Sequence, residues 1–294
     1  MAATPARRRS GANLGPVIQL DRLDRSGLAQ ARRIIGGLES VLVAYSGGVD
    51  STLLLRLCLD ELGPERAVAV LASSPAYPES EQTAARAVAA EMGARLIEVE
   101  THEVEDPEYS RNGPDRCFHC KEELFGVLEP MRAELRLAHL AYGATADDEG
   151  DHRPGHGSAV RRGVRFPLLE AGLGKAEIRA AARSMGLSNW DKPSFACLSS
   201  RVPAGTAVTE PVLAQIARAE AGLTGLGFRQ VRVRHHGDVA RIEVPAEDIS
   251  RLVQLRERAT TVVRDAGYAF VAIDLEGYST GSLNRAWKPA PPRT

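Results

Sequence analysis

The order of apolar and polar positions divides the chain into two parts with different rhythms. In the first two-thirds, short apolar runs alternate with amphipathic stretches. The runs at 41–45, 67–71, 95–99 and 137–142, with a shorter one at 164–168, read as strands. Between them, residues 80–92 place Ala84, Val88 and Met92 at intervals of four. Residues 121–135 bring Leu124, Phe125 and Leu128 together, and Pro130 is expected to end or kink that helix. Residues 175–185 gather Ile178, Ala181, Ala182 and Met185 and stop at Gly186. Apolar strands alternating with amphipathic helices predict an α/β fold: a parallel sheet with helices on both faces. Ligands of such sheets sit at the carboxyl ends of the strands. Residues 46–51, Ser73-Ser74 and 143–151 all follow strands and are expected along one edge.

The rhythm changes after Arg201-Val202-Pro203-Ala204-Gly205. A helix at 212–223 precedes a strand at 229–235, a turn at His236-Gly237-Asp238 and a strand at 239–244. A helix at 247–265 and a strand at 269–275 complete a small α+β domain. The expected boundaries are a disordered tail 1–15, a first domain 16–204, a second domain 205–285 and a tail 286–294. In the hairpin, alternation puts Val231 and Val233 on one face with Ala240, Ile242 and Val244, leaving Arg232, Arg234, Arg241 and Glu243 on the other. Guanidinium groups on one face repel unless an anion or carboxylate lies between them. Arginine suits bidentate phosphate recognition, and a solvated face balanced by Glu243 is the alternative.

The sharpest local pattern is Ser46-Gly47-Gly48-Val49-Asp50-Ser51, set between an apolar run and a helical one that carries Leu53, Leu54 and Leu57. Strand, glycine turn and helix start aim backbone N–H groups at an anion. The glycines remove the Cβ atoms that would keep phosphate away. Ser46, Ser51 and Thr52 add hydroxyls, and Asp50 offers an oxygen ligand for Mg²⁺ bridging phosphates. The spacing is not that of the Walker loop, which ends in Gly-Lys-Ser/Thr.

Composition narrows the setting. A chain of 294 residues is long enough for two domains. A formal net charge of -1 gives no electrostatic grip on nucleic acid. No apolar run has the length of a membrane span, and no signal-peptide core follows Arg7-Arg8-Arg9, so a cytoplasmic protein is expected. Four cysteines in a reducing compartment point to metal binding or catalysis before disulfides. Cys58 falls at an apolar helix position and reads as core. Cys117-Phe118-His119-Cys120 and the distant Cys197 remain. Three thiolates can hold a [4Fe-4S] cluster with one iron open, or zinc with His119 or another histidine. Cys197, in a Pro/Ser-rich loop near Lys192 and Arg201, reads as a poised sulfur.

The Ser-Gly-Gly-x-Asp-Ser turn resembles the PP-loop of the N-type ATP pyrophosphatases, which split ATP between the α and β phosphates. Cys117-Phe118-His119-Cys120-Lys121, the stretch 143–155, the loop 192–201 and the hairpin 231–243 extend the resemblance to the LarE family, over about 27–285. That family comprises ATP-dependent sulfur transferases of nickel-pincer nucleotide synthesis. The resemblance implies that ATP adenylates a carboxylate of pyridinium-3,5-biscarboxylic acid mononucleotide and that sulfur then displaces AMP. By matching position, Ser46, Gly47, Gly48, Val49, Asp50 and Ser51 hold the ATP phosphates; the adenine pocket is expected roughly near Ala72, Ser73 and Ser74. Arg232 and Arg234 take the substrate phosphate, with Glu220 and Glu243 lining that pocket. Ser200 and Arg201 flank the sulfur donor Cys197, and Asp151 and Arg153 shape the cleft edge. The extra Cys117 and Cys120 match the three-cysteine branch, which implies a [4Fe-4S] cluster carrying a sulfide. The alternative within the family is Cys197 as sacrificial donor, left as dehydroalanine. A small-molecule nucleotide substrate, a sulfide or other sulfur donor, and a homo-oligomeric assembly are further implications. PP-loop tRNA thiolases share the loop and a cysteine trio, but Val49 and the balanced charge suit a polyanion poorly. Amide-forming relatives need no such cysteines, and a nucleotide sensor needs neither Asp50 nor both serines.

Overall fold

Four parallel strands in the order β3-β2-β1-β4 form the larger sheet. The computed structural model describes residues 27–148 and 154–279. The strands are β1 (Val41–Tyr45), β2 (Ala67–Ser73), β3 (Arg95–Glu100) and β4 (His139–Tyr142). Every residue of β1 is buried, as a central strand covered on both faces requires. Its side chains alternate between two cores. Val41, Val43 and Tyr45 join Ala67, Ala69 and Leu71 against α1 (Gly27–Gly36), α2 (Val49–Leu62) and α8 (Lys175–Ser184). Leu42 and Ala44 join Val68 and Val70 against Phe125 and Leu128 of α5 (Arg116–Glu134). The predicted α/β class and two-faced sheet are therefore the observed ones.

Some elements differ from expectation. Helix α3 (Glu79–Glu91) buries Ala85, Val88 and Ala89, and Ala84 faces solvent, so its inner face is rotated from the predicted one. Pro130 lies inside α5, which runs on to Glu134. It sits on the exposed face, where water can take the freed carbonyl. The run at 164–168 gives only a single parallel bridge, Arg165 to Ala141, before a short helix α7 (Pro167–Glu170) with proline in its first turn. Helix α1 had no sequence expectation. Short helices α4 (Pro107–Ser110) and α6 (Pro154–Arg161) flank α5.

The C-terminal region has α9 (Glu210–Gly225), a hairpin of β5 (Arg232–His236) and β6 (Val239–Glu243), α10 (Ile249–Gln254), α11 (Arg256–Asp265) and β7 (Phe270–Ile273). Strand β6 pairs antiparallel with β5 and parallel with β7. The stretch 247–265 breaks at Leu255, whose ψ of 14° leaves the helical range, and so forms two helices. Val231, Val233, Ala240, Ile242 and Val244 all enter one core with Ala219, Leu223 and Val263, as the alternation predicts. A further apolar cluster joins the two regions: Ala76, Val104 and Tyr109 pack with Leu198, Val202, Val208, Leu213 and Ile216. Among the described residues, no helix is long and apolar enough to cross a membrane.

Candidate active site

The glycine turn leaves β1 and enters α2 as the sequence predicts. Gly47 has φ +69°, and a Cβ there would lie 2.5 Å from the Ala85 Cβ, so glycine is required twice over. Gly48 is the N-cap of α2 and supplies no side-chain acceptor, so the first N–H groups of the helix stay available to an anion. The Ser51 hydroxyl organises the turn: it accepts from the Ser46 N–H at 3.2 Å, lies 3.1 Å from the Ser46 hydroxyl and donates to the Gly48 carbonyl at 3.1 Å. Gly143, just past β4, comes so close that a Cβ would stand 3.0 Å from the Ser51 nitrogen. Ser73 ends β2 on the same edge. The next residue, Ser74, donates to the Glu103 carboxylate at 2.6 Å. Three predicted segments thus share one edge. Asp151 and Arg153 lie outside the described residues.

Three polar residues complete the phosphate edge: Lys175 and Asn189, which sequence reasoning passed over, and Lys192, which it read only as a cation near Cys197. The Lys175 ammonium donates to Asp50 at 2.9 Å from the first position of α8. Asn189 donates to the Gly47 carbonyl at 3.1 Å and the Thr52 hydroxyl at 2.9 Å. Lys192 donates to the same Gly47 carbonyl at 3.3 Å and pairs with Glu81 at 2.8 Å. One available signal was Gly174-Lys175-Ala176-Glu177, a helix start whose Glu177 accepts from the Gly174 N–H and leaves the lysine at the first helical position.

The segment that carries Cys197 is tied down along its length. Arg179 donates to the Trp190 and Lys192 carbonyls, and Arg232 to that of Ser194 at 2.8 Å. Arg234 donates to the Ser200 carbonyl at 3.0 Å, and Arg116 to that of Ser199 at 2.7 Å. The Leu198 N–H reaches the Ala76 carbonyl, and Tyr109 meets the Ser199 hydroxyl at 2.6 Å. Cys197 itself is half-buried and precedes a 3₁₀ turn, Leu198–Arg201.

Behind this loop lie two buried ion pairs. Arg201, with 0% exposure, makes a two-pronged contact with Glu220 at 2.9 and 3.0 Å. Arg234 pairs with the buried Glu243 at 2.6 Å. Arg232 is buried too, stacked near Phe195 and Tyr278. Burial first, then repulsion from Arg201, holds its guanidinium below the ordinary value. Among the described residues no carboxylate forms an ion pair with Arg232. The predicted pocket residues are therefore neighbours, and Glu220 and Glu243 each engage an arginine.

The cysteines require a correction. Cys58 is buried core as expected, its thiol pushed up by burial. Cys117 and Cys120 start α5, and Cys120 and Cys197 both pack beside the cluster that joins the two regions. The expected [4Fe-4S] site of Cys117, Cys120 and Cys197 is nevertheless not formed. Their sulfur atoms do not gather within 4.8 Å of one another, the spacing at which one group of ligands could share an ion. Burial also pushes the Cys120 thiol up to about 12, the neighbouring Lys121 opposing this. Exposed Cys117 lies three residues before half-buried Cys120, one turn apart in α5. The three-cysteine iron–sulfur branch is set aside on these grounds. Among the described residues the only group close enough to share an ion is Glu108, Asp115 and His119. There the Arg111 guanidinium already contacts Glu108 at 3.0 Å and Asp115 at 2.5 Å.

The chain is similar to one family profile and to three known proteins. The NAD synthase family profile matches residues 33–125, the stretch holding the glycine turn. The uncharacterized protein slr1717 of Synechocystis is 42% identical over 263 residues, covering 88% of this chain and 97% of that protein. The pyridinium-3,5-bisthiocarboxylic acid mononucleotide synthase of Lactiplantibacillus plantarum is 36% identical over 247 residues, covering 84% of this chain and 90% of that one. The uncharacterized protein MJ0830 of Methanocaldococcus jannaschii is 25% identical over 240 residues, or 82% and 91% of the two chains.

Proposed function

The chain belongs to the family of the Lactiplantibacillus plantarum pyridinium-3,5-bisthiocarboxylic acid mononucleotide synthase, PP-loop enzymes of ATP-dependent sulfur transfer to a nucleotide, and we propose that it makes the same product. In this reading ATP adenylates a carboxylate of pyridinium-3,5-biscarboxylic acid mononucleotide and pyrophosphate leaves. Sulfur then displaces AMP to give a thiocarboxylate, and the second carboxylate is treated likewise. A carboxylate is a poor electrophile, and the acyl adenylate supplies the leaving group it lacks. Holding the carboxylate against the α-phosphorus can lower the barrier by roughly 7–11 kcal/mol.

The observation that carries the reading is the direct link between the phosphate turn and the sulfur loop. Asn189 and Lys192 both donate to Gly47, and Cys197 follows Lys192 by five residues. We assign the phosphates of ATP to Ser46, Gly47, Gly48, Val49 and Ser51. The Asp50 carboxylate suits a magnesium ion carried in by ATP, and Lys175 would then turn from Asp50 to phosphate charge. Arg232, a buried cation pushed by Arg201 and without a carboxylate partner among the described residues, is the group for the substrate phosphate. Arg234 is placed beside it, and Glu220 and Glu243 hold the arginine geometry. Cys197 is the sulfur donor, and Ser200 and Arg201 act on it. We read the chain as two units, 16–204 and 205–285, each contributing one side of this site.

Incubation with ATP, magnesium and the pyridinium dicarboxylate mononucleotide tests the first half. Pyrophosphate and AMP should appear only when the dicarboxylate is present, and Asp50→Ala should remove both. Equal pyrophosphate release without the dicarboxylate would overturn the assignment.

A further inference from the structure

The carbonyl oxygen of Cys197 accepts two hydrogen bonds that converge from within its own turn. The Ser200 N–H donates at 2.9 Å and the Arg201 Nη1 at 3.1 Å. These are the distances at which paired donors stabilise a developing oxyanion. Arg201 cannot swing away: it is 0% exposed and locked by both oxygens of Glu220. Its Nη1 also donates to the Ala196 carbonyl at 2.5 Å and lies 2.9 Å from the Ser200 hydroxyl. The contact with Cys197 is the longest of the three, and so the one with room to shorten as charge builds.

We propose that this pair of donors is an enolate-stabilising site that drives the release of sulfur from Cys197. The inference rests on the reading of Cys197 as the atom donor. The Cys197 thiolate attacks the adenylated carboxyl carbon. A carbon–sulfur bond forms, the carbon–oxygen bond to the phosphate breaks, and AMP leaves with that electron pair. Substrate and protein are then joined as a thioester. To free a thiocarboxylate, the Cβ–Sγ bond of Cys197 must break. The Cα–H pair becomes the Cα=Cβ bond, sulfur departs with the Cβ–Sγ pair, and the proton passes to water. No oxidant or reductant is consumed, and dehydroalanine remains at position 197.

The difficult event is loss of the α-hydrogen, because a peptide α-carbon is a very weak acid. The negative charge created there spreads onto the Cys197 carbonyl oxygen, where the two donors meet. A charge-assisted bond is about twice as strong as a neutral one, and it gains most when the oxygen becomes anionic. Cys117 lacks this arrangement. It lies in the first turn of α5, and among the described residues no side chain donates to its carbonyl. The same buried arginine thus has two uses: its Nε and Nη2 fix it to Glu220, while Nη1 faces the backbone of the sulfur donor.

The test needs neither substrate nor turnover. Cyanylation of the thiols with 2-nitro-5-thiocyanatobenzoate gives each cysteine a thiocyanate leaving group, and mildly basic buffer then drives elimination to dehydroalanine. Peptide mass analysis reads the fraction eliminated at each position. Cys197 should eliminate at least tenfold faster than Cys117 of the same molecule. Arg201→Lys should erase most of that advantage. The double variant Arg201→Met with Glu220→Met removes the ion pair without stranding a buried charge and should erase it as well. Equal rates at Cys197 and Cys117 in the unaltered protein, or an undiminished advantage in folded double variant, would overturn the proposal. Fast elimination at Cys197 alongside turnover that leaves its sulfur in place would instead defeat the donor reading while leaving the enolate site standing.

Discussion

Asn189 holds Gly47: its side-chain amide donates to the Gly47 carbonyl at 3.1 Å while also donating to the Thr52 hydroxyl at 2.9 Å. The contact spans 142 residues of sequence and joins the phosphate turn to the loop that leads to Cys197. With Lys192 on the same carbonyl, the geometry of the turn and the position of the sulfur loop depend on one another.

Asn189→Ala should therefore weaken ATP binding more than it weakens the fold. Each net hydrogen bond is worth about 1 kcal/mol, so the loss of two, about 2 kcal/mol, corresponds to a rise of up to roughly 30-fold in the dissociation constant. Isothermal titration with ATP reads this directly. Asn189→Asp should be worse, because it sets a carboxylate behind the anion site.

Gly47→Ala tests the turn from the other side. The substitution demands a left-handed backbone at φ +69° and places a Cβ 2.5 Å from that of Ala85. A loss of about 1–3 kcal/mol is expected from overpacking of the helix against the turn. Denaturant unfolding should show it, and pyrophosphate release should fall with it. A second change, Ala85→Gly, should recover part of the stability by relieving the contact.

Those two residues show how far the sequence could be read. The glycine turn was legible because strand, turn and helix follow one another locally, and because Ser46, Asp50 and Ser51 can be read without knowing the fold. The alternation of Val231, Val233, Ala240 and Ile242 was legible for the same reason. Asn189, Lys192 and Lys175 were not, since each acts on a residue more than a hundred positions away. Arg201 and Glu220 were each read as site residues, but the 0% exposure of Arg201 and the ion pair between them emerge only from packing. The cysteine spacing misled. A gap of three puts Cys117 and Cys120 near one turn of α5, but does not bring either sulfur into a shared cage with Cys197.

Cys120 gives a prediction in pH. Burial raises its thiol from 9.0 to about 12, so between these values the unfolded chain loses a proton that the folded chain keeps. Stability from this residue is whole below pH 9.0 and falls as pH rises toward 12, with a slope of about 1.4 kcal/mol per unit. Replacement by serine should flatten that alkaline loss in urea unfolding measured at successive pH values. In the native protein at pH 8, iodoacetamide should alkylate exposed Cys117 well ahead of Cys120.

The most direct measurement is a single turnover in which protein and product are weighed together. The protein is mixed with ATP, magnesium and the pyridinium dicarboxylate mononucleotide, with no added sulfide. Thiocarboxylate should form in amounts matching the protein that has lost one sulfur, the loss should map to Cys197, and Cys197→Ala should form none. Thiocarboxylate formed while Cys197 keeps its sulfur, or formed equally by Cys197→Ala, would contradict it.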